Sequence, residues 1–320
     1  MGHFFELTFY IVNFVLEKNL KSVDIKYLNH NEIDCIKWED NIAGSLNLCI
    51  YSHSWFLDSV QSDWGALVWE DYRAVMPVFS LGSKMYLPKG VFWTGIYSNE
   101  IIEKEVYGEF LNFISQKFTY ADFRTDKFFL YPEKTLGKVS KHDVFQFDTL
   151  KPLQERLFLS TPDLKKYMVA SDVKNYKLER IADADTFIKF VKLNPNICYN
   201  DFRGLESIIR CAVKKKAGVA FCLKNLESQT VGFVTALFSD NYVFVPFLKT
   251  TKGIDSENGR LLLIYHLLSF LEGFPSTVVL DAKDSGASYT LFKDMRAFKS
   301  ECKSFHLDRL SKMLSFFYRS

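Results

Sequence analysis

The run Tyr242-Val243-Phe244-Val245-Pro246-Phe247, the polar stretch from Lys252 to Gly259 and the apolar segment from Arg260 to Phe274 decide how this chain is read. The first is rich in β-branched and aromatic residues and reads as a strand. Pro246 sits inside it. A proline removes a ladder donor, so a bulge or a splayed strand is expected at that point. The second stretch reads as a loop with a glycine near each end, and the third as a helix apolar around most of its circumference, which a sheet must cover. A helix N-terminus presents unpaired N–H groups and the positive end of the helix dipole, so it cradles a pyrophosphate without a dedicated side chain. On this reading Asn258, Gly259 and Arg260 take the phosphates of a ligand, Gly259 by close backbone approach and Arg260 by charge. Val245, Pro246, Phe247 and Leu248 form the strand edge beside it. The same residues admit a plainer alternative, in which Gly259 starts a helix and Pro246 marks an edge strand.

Upstream in this half, Asp183 to Leu193 reads as a helix with Phe187, Phe190 and Val191 on one face, and Phe202 to Lys216 as a second carrying Leu205, Ile208, Ile209 and Ala212. Strands are expected at Val219 to Leu223, Val231 to Phe238 and Tyr242 to Phe247, the last two joined in hairpin style through Ser239, Asp240 and Asn241. Downstream come a short strand, Thr277 to Asp281, a helix, Ala287 to Met295, a last strand, Phe298 to His306, and a closing helix, Leu307 to Tyr318.

The N-terminal half repeats this order more loosely. Ser54 to Val60 reads as a helix, Ala66 to Trp69 and Tyr72 to Met76 as a hairpin across Glu70 and Asp71, and Met85 to Tyr97 as extended chain broken by Pro88 and Gly90. Lys104 to Phe118 is a helix and Tyr120 to Phe123 a strand running into Asp122-Phe123-Arg124-Thr125-Asp126, which matches Asp281-Ala282-Lys283-Asp284 in position. Two copies of one unit are therefore expected, residues 23–159 and 160–320, with an apolar extension over 1–22 and a join near Leu150 to Asp163, where Pro152 and Pro162 interrupt the pattern.

Composition agrees with two ordinary domains. The chain has 320 residues, 48% hydrophobic and 24% charged, and at about 150 residues per domain this length suggests two. A formal charge of +2 is too balanced for whole-surface attraction to a polyanion, so any such ligand must meet a local patch. Six scattered cysteines with no C-x-x-C pair suggest neither a metal site nor a redox motif, and read as reduced thiols in the core. Leu7 to Leu16 is apolar but only ten residues long, short of the roughly 20 that span a bilayer, and no Lys or Arg precedes it within Met1 to Glu6. It reads as a packing helix without a transmembrane segment, in a cytoplasmic protein.

The order of these elements resembles the GNAT acyltransferase superfamily: a strand leading to a glycine-containing loop and helix, a strand ending in Asp281, then the helix Ala287-Ser288-Tyr289-Thr290-Leu291-Phe292-Lys293. The doubling, with Cys49-Ile50-Tyr51-Ser52-His53-Ser54-Trp55-Phe56-Leu57-Asp58 in the first copy and Ser160-Thr161-Pro162-Asp163-Leu164-Lys165-Lys166-Tyr167 entering the second, is similar to the tandem, Fem-like aminoacyl/acyltransferase branch. The resemblance implies an α/β (α+β) fold of two tandem GNAT-like units, each a mixed twisted sheet flanked by helices. It also implies a cleft where two strands of the second unit diverge. An acyl donor, acyl-CoA or aminoacyl-tRNA, would lie there with its phosphates on the loop before the buried helix; no cofactor is held permanently. The family's loop has the form Q/R-x-x-G-x-G/A, and the aligned residues are Ser256-Glu257-Asn258-Gly259-Arg260-Leu261. Ser256 and Leu261 depart from that form. The tyrosine that serves many members as general acid corresponds to Phe292, with Tyr289 one turn earlier as the substitute.

Two further residues are cleft candidates. Asp281 ends its strand where functional carboxylates of a sheet gather, and His53 lies among Tyr51, Ser54 and Trp55. Lys214-Lys215-Lys216 is the best basic cluster for a tRNA, although it closes a helix, where cations also suit the dipole. The expected activity is acyl or aminoacyl transfer to an amine, small or peptide-like, with the donor carbonyl polarised by N–H groups of Val245 to Leu248. The alternative is a GNAT-fold binding or scaffold protein that has lost catalysis, to which Ser256, Leu261 and Phe292 point. A groove open at the splay would favour the first and a groove filled by core side chains the second.

Overall fold

A computed structural model describes residues 24–150, 173–194, 204–251, 256–281 and 297–309, together with positions 152, 155 and 202. In chain order the elements are β1 (Ile25–Leu28), α1 (Cys35–Gly44), α2 (Ser54–Val60), β2 (Gly65–Trp69), β3 (Ala74–Val78), β4 (Ser80–Leu81), β5 (Lys84–Tyr86), α3 (Lys104–Lys117), β6 (Tyr120–Thr125) and β7 (Lys138–Asp148). They continue with β8 (Lys177–Ile181), α4 (Ala184–Leu193), α5 (Leu205–Lys214), β9 (Gly218–Lys224), β10 (Thr230–Ser239), β11 (Tyr242–Thr250), α6 (Ser256–Phe270), β12 (Thr277–Asp281) and β13 (Phe298–Asp308).

Ten of the strands form one mixed sheet in the order β4-β5-β6-β13-β7-β12-β11-β10-β9-β8, and β1-β2-β3 form a second, smaller sheet. The last strand, β13, lies between β6 and β7, and β7 lies between β13 and β12. The N-terminal and C-terminal halves of the chain are thus stitched together by long strands. β7 pairs antiparallel with β12 from Thr277↔Asp148 to Asp281↔Val144, and with β13 from Phe298↔Gln146 to His306↔Lys138. β7 was not expected from the sequence, because its first half, Lys138 to Asp143, is too polar to show an apolar period.

Helix α6 fills the groove on one face of the sheet. Leu261, Leu262, Leu263, Ile264, Leu267, Leu268 and Leu271 are all buried and pack with Val234, Val243, Val245, Val278 and Leu280. An apolar circumference is satisfied on every side this way, as expected. On the opposite face Phe244, Phe247, Val279 and Val144 pack with an aromatic group from the N-terminal half, including Tyr51, Phe92 and Trp93. A third cluster under α3 holds Phe110, Ile114 and Phe123.

Several expectations are corrected. α6 begins at Ser256 and ends at Phe270 instead of spanning Arg260 to Phe274, so Gly259 lies in its first turns and not in the loop. The apolar period that marks the helix starts only at Leu261, one turn inside its backbone start. The N-terminal hairpin pairs Trp69 with Ala74, and Glu70 to Arg73 form the loop, with Glu70 (φ 51°) and Tyr72 (φ 62°) left-handed. Tyr72 is drawn out of the strand by α1: its hydroxyl accepts the Asp34 N–H at 2.7 Å. Helix α5 occupies Leu205–Lys214 rather than Phe202 to Lys216, and on α4 it is Ile188 that is buried while Phe190 is exposed. β13 runs on to Asp308, where a closing helix from Leu307 was expected. Cys35 is exposed, unlike the buried Cys49, Cys222 and Cys302. The expected extension over 1–22, the helix over 287–295 and most of the join lie outside the described residues.

Candidate functional site

β11 and β12 run parallel and pair only over Tyr242↔Thr277, Val243↔Val278 and Phe244↔Val279. Beyond Phe244 the two strands part, while β11 stays bonded to β10 as far as Thr250. Between the pairs Leu237↔Phe244 and Thr235↔Phe247, β10 has one residue, Ala236, and β11 has two, Val245 and Pro246. That extra residue is a β-bulge at the proline, where the missing ladder donor costs least. It bends β11 away from β12 and opens a cleft of about 290 Å³.

Val245, Pro246 and Leu248 line the cleft from β11, Arg260 and Ile264 from α6, and Leu280 and Asp281 from β12. The N-terminal half contributes the loop Leu87 to Phe92, and Arg124 at the end of β6. Within that loop Gly90 has φ +86°, and a Cβ there would run into the Leu205 side chain. A glycine is what lets this loop turn tightly over α5.

The cleft floor is an ionic cluster. Arg124 Nη1 lies 2.7 Å from Asp281 Oδ2, and His142 Nε2, from β7, lies 2.8 Å from Asp281 Oδ1. Arg124 Nη1 and His142 Nε2 are 2.9 Å apart. All three side chains are less than one quarter exposed. Lys89 and Arg260 also line the cleft, so among its described lining residues three are basic and one, Asp281, is acidic.

Behind the floor stands an aromatic wall. Phe244, the last residue of β11 paired with β12, has its ring 4.5 Å from Tyr51, 5.6 Å from Phe92 and 5.1 Å from Trp93. Tyr51 is buried, and burial raises its pKa well above the usual phenol value.

The structure brings together Val245, Pro246, Leu248, Arg260 and Asp281 of the residues expected from sequence. Phe247 instead points away from the cleft, into the core, where its ring lies 5.0 Å from Phe202 and 6.1 Å from Phe187. Gly259 is buried in the first turns of α6 and does not line the cleft. The first N–H groups of that helix belong to Ser256 to Asn258, whose side chains, Asn258 included, are outside the described residues, as are Tyr289 and Phe292. His53 does not reach the cleft. It precedes α2, with Nδ1 2.9 Å from Glu39 Oε2, while Glu39 Oε1 accepts both the N–H and the hydroxyl of Ser54 at 2.6 Å. Burial pushes the Glu39 carboxyl up, but the bonds from His53 and Ser54 together hold it below the usual carboxylate range. This is a helix-capping arrangement. Lys214, Lys215 and Lys216 are exposed and none lines the cleft.

One cleft residue and one partner of a cleft residue carried too little local signal to be singled out. Arg124 stands in the run Asp122 to Asp126 that matches the Asp281 segment, and only the pairing of β6, β13, β7 and β12 reveals that it meets Asp281. His142 has no chemically paired neighbour in sequence; its partner is 139 residues away.

The fold defined by this sheet, bulge and cleft is one that the chain shares with FemX. Solved structures bear this out. FemX superposes with a TM-score of 0.56 over 90% of this chain and 99% of its own, at 10% identity. A conserved protein of unknown function from Bacteroides thetaiotaomicron gives 0.56 at 11% identity, over 89% of this chain and 99% of that one. L-PGS from Bacillus licheniformis gives 0.50 at 13% identity, over 80% and 87%. No family model matches the sequence, and no curated protein matches it. Among the described residues no helix is long and apolar enough to cross a membrane.

Proposed function

We propose that the protein transfers an acyl or aminoacyl group from an anionic donor to an amine. The observation that carries this reading is the open cleft at the β11 bulge, walled by Arg124, Arg260 and Lys89. Leu261 does not plug it; that side chain is buried in the α6 core. The donor's phosphates sit toward the N-terminus of α6 and Arg260, and its acyl arm passes along Val245, Pro246 and Leu248. Past Phe244 the β11 main chain is no longer paired with β12, so its N–H groups polarise the donor carbonyl. The amine attacks that carbon, the bond to the donor's leaving atom breaks, and the amine's proton passes toward the Asp281–His142 pair. Arg124 holds the Asp281 carboxylate in place for that role. Fold likeness to FemX and L-PGS supports a transferase-type scaffold but names neither donor nor acceptor.

The test is ligand-induced stabilisation of the whole chain by acetyl-CoA, longer acyl-CoA esters and free CoA, in wild type and Leu248→Trp. A ligand at about 100 times its Kd stabilises by about 2.7 kcal/mol. The expected result is a shift that Leu248→Trp abolishes. If CoA esters give none, retention of aminoacyl-tRNA at several salt concentrations follows. Failure of both donors favours the binding or scaffold protein instead.

A further inference from the structure

A second cavity of about 320 Å³ lies behind the aromatic wall, sharing no lining residue with the cleft. Its lining includes Asn47, Trp93, Asp126, Lys127, Asp240 and Tyr242, drawn from both halves of the chain. Asp126 follows β6 and is buried, at 6% exposure. Its Oδ1 accepts the N–H groups of Phe128 and Phe129 at 2.9 and 3.0 Å, and its Oδ2 accepts Asn47 Nδ2 at 3.0 Å. All three donors are neutral. A carboxylate oxygen has room for two bonds, so Oδ2, with one bond among the described residues, retains an acceptor site.

We propose that this cavity binds an alkylammonium group, with Asp126 Oδ2 as its counter-ion and the rings of Trp93 and Tyr242 as its walls. A buried carboxylate is costly unless paired, and the three bonds that hold this one come from neutral donors, with Lys127 attracting it through space rather than by a direct bond. Burial pushes the Asp126 carboxyl up to about 6, so it is ionised at neutral pH and a cation beside it is strongly favoured. Lys127, the neighbouring cation, is exposed, with its ammonium 5.0 Å from the Phe128 ring centroid. Aromatic faces add attraction for a cation that a neutral ligand does not share. The cavity is of the size of a small-ligand site, at the lower end of the range of about 300–1,000 Å³. Its occupancy does not depend on a donor in the cleft, because the two cavities share no lining residue.

The experiment is calorimetric titration of the full chain at pH 7.5 with Nα-acetyl-lysine amide and with its uncharged counterpart Nα-acetyl-norleucine amide. The lysine derivative is expected to bind at least about tenfold tighter, the fold-change of one charge-assisted bond. Asp126→Asn, checked for folding by circular dichroism, is expected to erase that preference, and Arg260→Ala in the cleft to leave it intact. Equal affinity for the two probes in wild type overturns the proposal, as does no binding up to about 10 mM. So does a folded Asp126→Asn that keeps the preference, or loss of the preference in Arg260→Ala, which would move the amine into the cleft. The wild-type comparison of the two probes decides the matter even if Asp126→Asn fails to fold. Failure of every donor to bind would overturn the transferase reading and leave this result untouched.

Discussion

Arg124 Nη1 lies 2.7 Å from Asp281 Oδ2, across 157 residues of sequence. The pair ties the end of β6 in the N-terminal half to the end of β12 in the C-terminal half, beneath the cleft that both halves line. Each partner is mostly shielded from solvent, so removal of one leaves the other's charge uncompensated. Arg124→Leu is therefore expected to lower unfolding free energy by about 1–3 kcal/mol in a denaturant titration. Arg124→Leu combined with Asp281→Leu should cost less than the sum of the two single changes, the signature of direct coupling.

Phe244 is fully buried where β11 leaves β12, and it touches Tyr51, Phe92 and Trp93. Its truncation to alanine removes ring contacts to both halves at once. A cost of about 3–5 kcal/mol in chemical denaturation is expected, because the surrounding rings are held by separate elements and collapse poorly.

Asp126 gives a pH signature of opposite sign to that of most carboxylates. Burial raises its folded pKa from the ordinary 3.8 to about 6, so between those values the folded state binds the extra proton. Stability contributed by this residue therefore falls as pH rises from about 4 to about 6 and stays low above that range. Asp126→Asn, which keeps an acceptor for the Phe128 and Phe129 N–H groups, is expected to stabilise the ligand-free protein by about 1–3 kcal/mol at pH 7.5. The gain should vanish near pH 4 in a series of thermal unfolding curves.

Glu39 behaves in the usual direction. Its folded pKa is held below the ordinary value by His53 and Ser54, so the stability it contributes is present above the unfolded pKa and is lost on acidification. Glu39→Gln is expected to cost about 1 kcal/mol at pH 7, typical of a lost helix cap, and clearly less at acidic pH. Binding of a donor ligand in the cleft should be unchanged, because His53 and Glu39 lie outside its lining.

Gly90 combines φ +86° with a Cβ direction blocked by Leu205. Gly90→Ala is strained by its backbone and by that contact together, and should destabilise by about 1–3 kcal/mol. Because the loop Leu87 to Phe92 lines the cleft, donor-induced stabilisation should weaken as well, which ligand titration of the variant would show.

What was legible in the sequence was local chemistry of high contrast. Pro246 in an otherwise β-branched run announced the bulge, and the unbroken apolar surface of Leu261 to Leu271 announced a helix wrapped by sheet and core. Ser54 to Val60 and Thr277 to Asp281 match their expected bounds, since each is flanked by clear breaks in pattern. Phe247 was misplaced because strand alternation does not say which face is the core, and the bulge shifts the alternation besides. His53 was misassigned because a histidine's role depends on its partner, and Glu39 is 14 residues away on another helix.

By itself, then, the sequence determined the mixed α/β order of elements, the bulge at Pro246 and the buried helix after it, for these follow from backbone sterics and apolar periods within a few residues. Only the tertiary structure decided that β7 and β13 cross between the halves, and that Arg124, His142 and Asp281 meet beneath one cleft while Asp126 lines another cavity. Strand exchange and ionic contacts between distant residues depend on how whole sheet edges and core surfaces fit together, and no short window of sequence contains that information.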